Sequence, residues 1–129
     1  MFLSLDFLYT PARDFEATLS YYTGMLGAEL VWKVRAMGTV VARLRLAEGG
    51  PALLLAEHLD GPSPILVYRV ADFRAAVDEL RARGLKGGEE FEIPHGPCFG
   101  FEGPGGQRLA VYELVRPEAD AHFAGRIDP

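Results

Sequence analysis

The feature that most constrains the fold is a repeat that divides the chain into two related halves. Three segments recur in the same order at offsets of 56 to 58 residues: 14–19 (DFEATL) with 72–77 (DFRAAV), Gly27 with Gly84, and 49–57 (GGPALLLAE) with 105–113 (GGQRLAVYE). Chance can produce one such match, but three in order indicate repeated structural units. We therefore predict a first module over residues 1–60, a second over 61–116, and a C-terminal tail over 117–129.

The two modules have the same predicted order of elements. Apolar segments at 3–9 and 65–70 are typical of strands, and each precedes an amphipathic helical pattern that begins at a capping aspartate, Asp14 or Asp72. Three further strands follow in each module, at 29–34, 39–46 and 52–57, and at 89–93, 98–102 and 108–114. The predicted helices are 14–26 and 72–83, and the fold class is α+β with a βαβββ order that occurs twice.

Composition restricts the classes of function. A chain of 129 residues with 49% hydrophobic residues is long and apolar enough to form one globular domain. A formal charge of −5 argues against nucleic-acid binding, and the single cysteine excludes an intramolecular disulfide. No apolar segment reaches the ~18 residues of a transmembrane helix and no signal peptide is recognisable, so we expect a cytoplasmic protein without a membrane partner.

Several motifs resemble the vicinal oxygen chelate superfamily, which includes glyoxalase I, bleomycin resistance proteins, extradiol dioxygenases and fosfomycin resistance enzymes. They are 5–11 (LDFLYTP), 19–22 (LSYY) followed by 26–27 (LG), 70–72 (VAD) and 101–109 (FEGPGGQRL). The resemblance implies two curved four-stranded sheets that each form a concave cup, with helices on the convex side. It also implies a homodimer. Because this fold supports many reactions, function must be argued from the site.

In metal-dependent members of that superfamily, the first and last strands of each module supply the metal ligands. In this sequence, the positions that correspond to those ligands are Leu5, Leu54, Ile65 and Ala110. None of these side chains can bind a metal ion, so we expect neither a metal nor another cofactor. A shift of one residue in strand register would instead bring Asp6, Glu57 or Glu113 toward the cup, and this alternative stays open.

Strand alternation from these positions predicts a ligand site that is mainly apolar and aromatic, with a few polar or cationic groups. The predicted ligand-binding residues are Phe7, Tyr9, Trp32, Arg43, Arg45, His58, Val67 and Tyr112. An arginine in such a site can pair with a carboxylate or stack on a ring. Alternatively, the aromatic residues pack in a core or a dimer contact, and the arginines lie in solvent.

One further pair of residues could carry chemistry. His95 and Cys98 lie in the segment 94–98 (PHGPC), which we interpret as a loop between strands. A histidine can activate a cysteine thiolate, but no third orienting group is evident, so covalent catalysis is not favoured.

The leading hypothesis is a metal-free protein that sequesters or carries a small aromatic or anionic ligand. The first alternative is an enzyme of the same superfamily, with an atypical metal site or with acid–base chemistry by His58, His95 or Glu57. The second is a non-catalytic interaction module whose groove binds a partner or its own tail.

Overall fold

Each half of the chain folds in the predicted βαβββ order, which confirms the α+β class. The computed structural model describes all residues from Met1 to Pro129. The strands are β1 Phe2–Pro11, β2 Glu29–Ala36, β3 Thr39–Arg45, β4 Ala52–Ala56, β5 Ile65–Val70, β6 Glu89–Ile93, β7 Gly96–Glu102 and β8 Arg108–Tyr112. The helices are α1 Phe15–Ser20, α2 Phe73–Ala82 and α3 Ala119–Phe123, and a π-helical turn, Tyr21–Met25, follows α1. None of the helices has the length and apolar character needed to cross a membrane.

The eight strands form one continuous sheet, in the order β2-β3-β4-β1-β5-β8-β7-β6. The halves join where β1 pairs antiparallel with β5, while β1–β4 and β5–β8 are parallel pairs within a half. The expectation of two separate sheets with two cups is therefore corrected to one curled sheet with one concave face. Strand patterns predict each half, but they do not reveal that the first strands of the halves pair.

Helices α1 and α2 cover the convex face, and the predicted aspartates cap them. The Asp14 carboxylate accepts a hydrogen bond from the Ala17 amide at 3.3 Å, and the Asp72 carboxylate accepts one from the Ala75 amide at 3.0 Å. Phe15 of α1 and Phe73 of α2 are buried in separate apolar clusters beneath their helices. Burial of these faces, rather than the intrinsic stability of such short helices, holds both in place.

The first helix departs from its predicted extent. Regular α-helix ends at Ser20, and the chain widens into the π-helical turn, where the Leu26 amide donates to the Tyr21 carbonyl at 3.1 Å. The wider turn breaks the 3.6-residue period on which the prediction of a helix to residue 26 rested. Leu26 is consequently exposed, whereas the period predicts that it is buried.

The concave face carries a third apolar cluster, and the C-terminal tail lies over it. The cluster comprises Phe7, Trp32, Val34, Leu54, Val67, Cys98, Ala110 and Tyr112. Phe123 of α3 packs on it, with its ring centroid 5.1 Å from that of Trp32. Beyond α3 the tail pairs with β2, since the Lys33 amide donates to the Arg126 carbonyl at 2.8 Å and the Asp128 amide donates to the Lys33 carbonyl at 2.9 Å.

Gly96 provides a test of how tightly the tail connects to the sheet. A Cβ atom at Gly96 would overlap the carbonyl oxygen of Glu113, next to the hydrogen bonds by which the Val115 and Arg116 amides hold the His95 carbonyl. We expect Gly96→Ala to lower the free energy of unfolding by about 2 kcal/mol or more, measured by urea denaturation. Gly24→Ala is the control, because its Cβ would meet no atom within 4 Å. Equal stability of the two variants would contradict the close approach.

Candidate functional site

A cleft opens on the concave face between the sheet and the tail. Its volume is about 220 Å³. The residues that line it are Leu5, Asp6, Phe7, Arg43, Gly50, Ala52, His95, Tyr112, Leu114, Pro117 and Asp120. The cleft therefore combines an apolar wall with five polar or ionisable side chains, and it lies beside the apolar cluster that the tail covers.

A bulge in β1 turns Asp6 into this cleft. Leu5 lies opposite Tyr68 and Phe7 lies opposite Val67, so Asp6 has no partner on β5. Because the extra residue resets the alternation, Leu5 aligns with Tyr68, while Phe7 and Val67 belong to the concave cluster. The regular alternation on which the placement of Leu5 and Phe7 rested is thus interrupted between them, and Asp6 points inward as the alternative register had it.

Asp6 is held by two hydroxyl groups. The Ser4 hydroxyl donates to Asp6 Oδ1 at 2.6 Å, and the Tyr112 hydroxyl donates to Asp6 Oδ2. Burial, together with this hydrogen bond to a carboxylate, raises the pKa of Tyr112 above its ordinary value. The phenol therefore remains a protonated donor at neutral pH, and it fixes the Asp6 carboxylate at the wall of the cleft.

A second carboxylate enters the cleft from the tail. Asp120 Oδ2 lies 3.0 Å from Arg43 Nη1, and Asp120 Oδ1 lies 3.2 Å from His95 Nε2. The second contact lacks the alignment of a hydrogen bond, and both of its atoms are buried without a hydrogen-bond partner. The site thus holds a close ion pair between Arg43 and Asp120, without hydrogen-bond alignment, beside an unsatisfied imidazole–carboxylate contact.

Aromatic rings hold the His95 imidazole in place. Its centroid lies 4.7 Å from the Phe7 ring and 6.4 Å from the Tyr112 ring, and only 3% of the residue is exposed. The turn between β6 and β7 places it there, so His95 does lie in a connection between strands, although the sequence did not predict that this connection reaches the cleft. Cys98 lies instead within β7 in the apolar cluster, where burial raises the pKa of its thiol to about 12. The thiol is therefore neutral and shielded, which argues further against covalent catalysis.

The predicted ligand-binding residues separate into three groups. Phe7, Arg43 and Tyr112 line the cleft. Trp32, Val67 and Tyr9 belong to the apolar cluster or pack against it, and burial raises the pKa of Tyr9 to about 12.

His58 and Arg45 lie outside the cleft. His58 is exposed, with Nδ1 3.1 Å from the Thr39 hydroxyl and Nε2 3.4 Å from the Tyr9 hydroxyl. Arg45 pairs with Glu29 at 2.7 Å. Sequence reasoning gave Asp6 only as an alternative under a shifted register and His95 only as a candidate acid or base, and it gave Asp120 no role, because a bulge, a turn and the path of the tail bring them to the cleft.

The donors in the cup do not fit a metal ion. Leu54, Ile65 and Ala110, at three positions to which the family resemblance assigns ligands, belong to the concave cluster or pack against it. The structure brings together no group of three or more His, Cys, Asp or Glu side chains suited to a metal ion. Asp6 and Asp120 instead bind hydroxyl groups and an arginine.

The sequence of this cup-shaped sheet matches a known family. Residues 4–111 match the model of the Glyoxalase/Bleomycin resistance protein/Dioxygenase superfamily. The chain belongs to this superfamily. No curated protein sequence matches it significantly.

Solved structures share the fold of this superfamily member. Methylmalonyl-CoA epimerase from Mycobacterium tuberculosis is 21% identical, with a TM-score of 0.68 and 92% of each chain covered. A Streptomyces coelicolor methylmalonyl-CoA epimerase in complex with 2-nitronate-propionyl-CoA is 18% identical, with a TM-score of 0.68 over 90% of this chain and 100% of that one. A catechol 2,3-dioxygenase is 16% identical, with a TM-score of 0.61 over 87% of this chain and 40% of that one.

The buried thiol predicts a specific loss of stability in alkali. The Cys98 thiol ionises near pH 8.5 in an unfolded chain but near pH 12 in the folded protein. Above pH 8.5 the unfolded state therefore holds fewer protons than the folded state, and stability falls as pH rises. Between pH 9 and 10, where the unfolded thiol is mostly ionised, Cys98→Ala should remove about 1 kcal/mol per pH unit from the slope of unfolding free energy against pH. Urea denaturation at each pH measures both slopes, and equal slopes would show that the folded thiol ionises normally.

Proposed function

We propose that this superfamily member binds a small molecule in its cup without a metal ion, and that the ligand carries an anionic group that pairs with Arg43. The observation that carries the proposal is the convergence of Arg43 and buried His95 on one carboxylate at the edge of an apolar cluster. Apolar side chains stand at three positions to which the family resemblance assigns metal ligands, so Arg43 and His95 are the anchors that we propose for a polar ligand.

The arginine suits a carboxylate. Its side chain is 27% exposed, so water meets only part of its hydrogen-bonding capacity. A guanidinium group remains charged at physiological pH and binds planar carboxylates through paired N–H groups. A ligand carboxylate at Arg43 would also approach His95 Nε2, which lacks a hydrogen-bond partner.

The remaining wall suits a small apolar or aromatic body. Phe7 and Tyr112 present ring surfaces to the cleft, 5.4 Å apart between centroids. The cleft of about 220 Å³ is smaller than the ~300 Å³ at which drug-sized sites begin, so it favours a compact acid. The fold supports the general class, since a structural neighbour is in complex with 2-nitronate-propionyl-CoA.

Calorimetric titration with phenylacetate tests the carboxylate anchor, with phenylacetamide as the uncharged control. We expect phenylacetate to bind at least about tenfold more tightly than the amide, because a charge-assisted pair is worth about 1.5 kcal/mol or more. Arg43→Gln should remove that preference. Arg45→Gln should not, because Arg45 pairs with Glu29 outside the cleft. Equal binding of acid and amide by the parent would reject Arg43 as the anchor.

Metal independence has a separate test. Protein purified without chelators should contain no stoichiometric metal by elemental mass spectrometry. Its melting temperature should stay unchanged with added Ni²⁺, Zn²⁺, Mn²⁺ or Fe²⁺, because a metal that binds only the folded state would raise it. Stabilisation by several degrees would favour the metal-dependent alternative and direct mutagenesis to Asp6, His95 and Asp120.

An acid–base enzyme is the second candidate, favoured by the unpaired Nε2 atom of buried His95 at the cleft. Incubation of phenylpyruvate with the protein in D₂O distinguishes the two, because its ketone makes the methylene protons acidic enough for a general base to exchange them for deuterium faster than buffer alone does. Exchange at the rate of protein-free buffer favours binding alone. The expected homodimer also stays a prediction, which sedimentation velocity can check.

A further inference from the structure

The tail places a carboxylate and an aromatic ring in the cup. A compact aromatic acid would carry the same two groups. Asp120 supplies a carboxylate to Arg43 and His95. Phe123, three residues later in α3, supplies a ring against Trp32. Positions three apart lie on one face of a helix, so both groups point from α3 toward the sheet.

The segment that carries them has little stability of its own. Helix α3 has five residues, its N-terminus lacks a side-chain cap, and Ala124 leaves the helical conformation. A helix of this length does not persist without tertiary contacts. Its position therefore depends on the Arg43–Asp120 pair, the Phe123–Trp32 contact and burial of Ala119.

Both ends of this segment are fixed more firmly than its middle. Before it, the Arg116 side chain donates to the Pro94 carbonyl at 2.8 Å and to the Ile93 carbonyl at 2.9 Å. After it, the Asp128 carboxylate accepts a hydrogen bond from the Arg35 amide at 2.8 Å. Residues 117–125, here called the strap, can thus lift from the cup while both ends stay attached.

The closed strap leaves polar groups unsatisfied. Trp32 Nε1, His95 Nε2 and Asp120 Oδ1 are buried without hydrogen-bond partners. Most buried polar groups in proteins have partners, so three such atoms in or beneath the strap mark an imperfect fit. An external acid that satisfied His95 or Trp32 would gain hydrogen bonds that the strap does not make.

We propose that the strap is a displaceable internal ligand of the cup, in which Asp120 occupies the position of the carboxylate of an external apolar or aromatic acid. The inference rests on the proposed function, because it takes an acid as the ligand at Arg43 and names Asp120 as the group that competes with it there. Binding of the acid lifts the strap and uncovers the apolar cluster at Trp32. Because only molecules with an open cup bind the acid, the apparent Kd of the parent is the intrinsic Kd divided by the fraction of molecules in which the cup is open.

The single tryptophan provides a direct signal, because Trp32 is the only one in the chain and it lies under Phe123. Asp120→Asn weakens the pair with Arg43, so it should increase acrylamide quenching of Trp32 fluorescence without any ligand. It should also tighten phenylacetate binding about tenfold or more, as expected when a competing closed state is depopulated. Glu118→Gln is the matched control, because it removes the same charge from an exposed position in the strap.

The outcomes separate this inference from the proposed function. Greater quenching and tighter binding by Asp120→Asn, with Glu118→Gln like the parent, support the strap. Unchanged quenching with parent-like binding of phenylacetate overturns the strap and leaves the proposed function standing. Weaker binding by Asp120→Asn makes Asp120 part of the ligand site and overturns the competition. Greater quenching with no phenylacetate binding by any variant overturns both the acid as ligand and its displacement of the strap.

Arg43→Gln supplies an independent check. Loss of the guanidinium should free the strap and increase Trp32 quenching, while it also abolishes the preference for phenylacetate over phenylacetamide. A variant that opens the strap and loses its acid preference supports a shared anchor. Parent-like quenching in Arg43→Gln overturns the inference, because the ion pair would then not hold the strap.

Discussion

The antiparallel pairing of β1 with β5 is the interaction on which the rest of the structure depends. It joins two βαβββ halves into one curled sheet and so creates a single concave face within one chain. The strands from both halves then contribute to one apolar cluster, from Trp32 on β2 to Tyr112 on β8. Without this pairing, Arg43 of the first half and His95 of the second would have no common site. The bulge at Asp6 lies in the same pairing, so one irregular ladder sets both the shape and the polarity of the cup.

Much of the fold could be predicted from the sequence because local patterns determine it. Paired glycines, capping aspartates and strand periodicity located the eight strands and two main helices. The site was less accessible to such reasoning, since one unpaired residue in β1 interrupts the alternation between Leu5 and Phe7. A period-two pattern carries no sign of a bulge, and a tail without periodicity carries no sign of what it covers. Asp6 and Asp120 therefore became part of the site only through long-range packing.

The pattern of β3 predicts that both Arg43 and Arg45 face the cup, and it cannot distinguish the one that reaches the cleft from the one that does not. Both alternate with the buried Ala42 and Leu44 on β3, so the pattern assigns both to the open face. Arg45 ends the strand and reaches Glu29 on β2, whereas Arg43 lies opposite Trp32 and reaches the tail. Position along a strand, rather than face, thus decides which arginine meets the cleft, and this depends on a register that sequence alone does not give.

Charge balance links the cup to its strap. A guanidinium group does not lose its proton in a protein, so Arg43, which is largely removed from water, requires an anion wherever the cup is closed. Asp120 supplies that anion within the chain. A neutral molecule that displaced the strap would leave Arg43 without a counter-charge in a poorly solvated site, whereas a carboxylate would replace the anion that it removes. Replacement of the Asp120 carboxylate by a ligand carboxylate therefore keeps the net charge of the cup unchanged. The residue that the tail inserts thus indicates that the ligand is an acid.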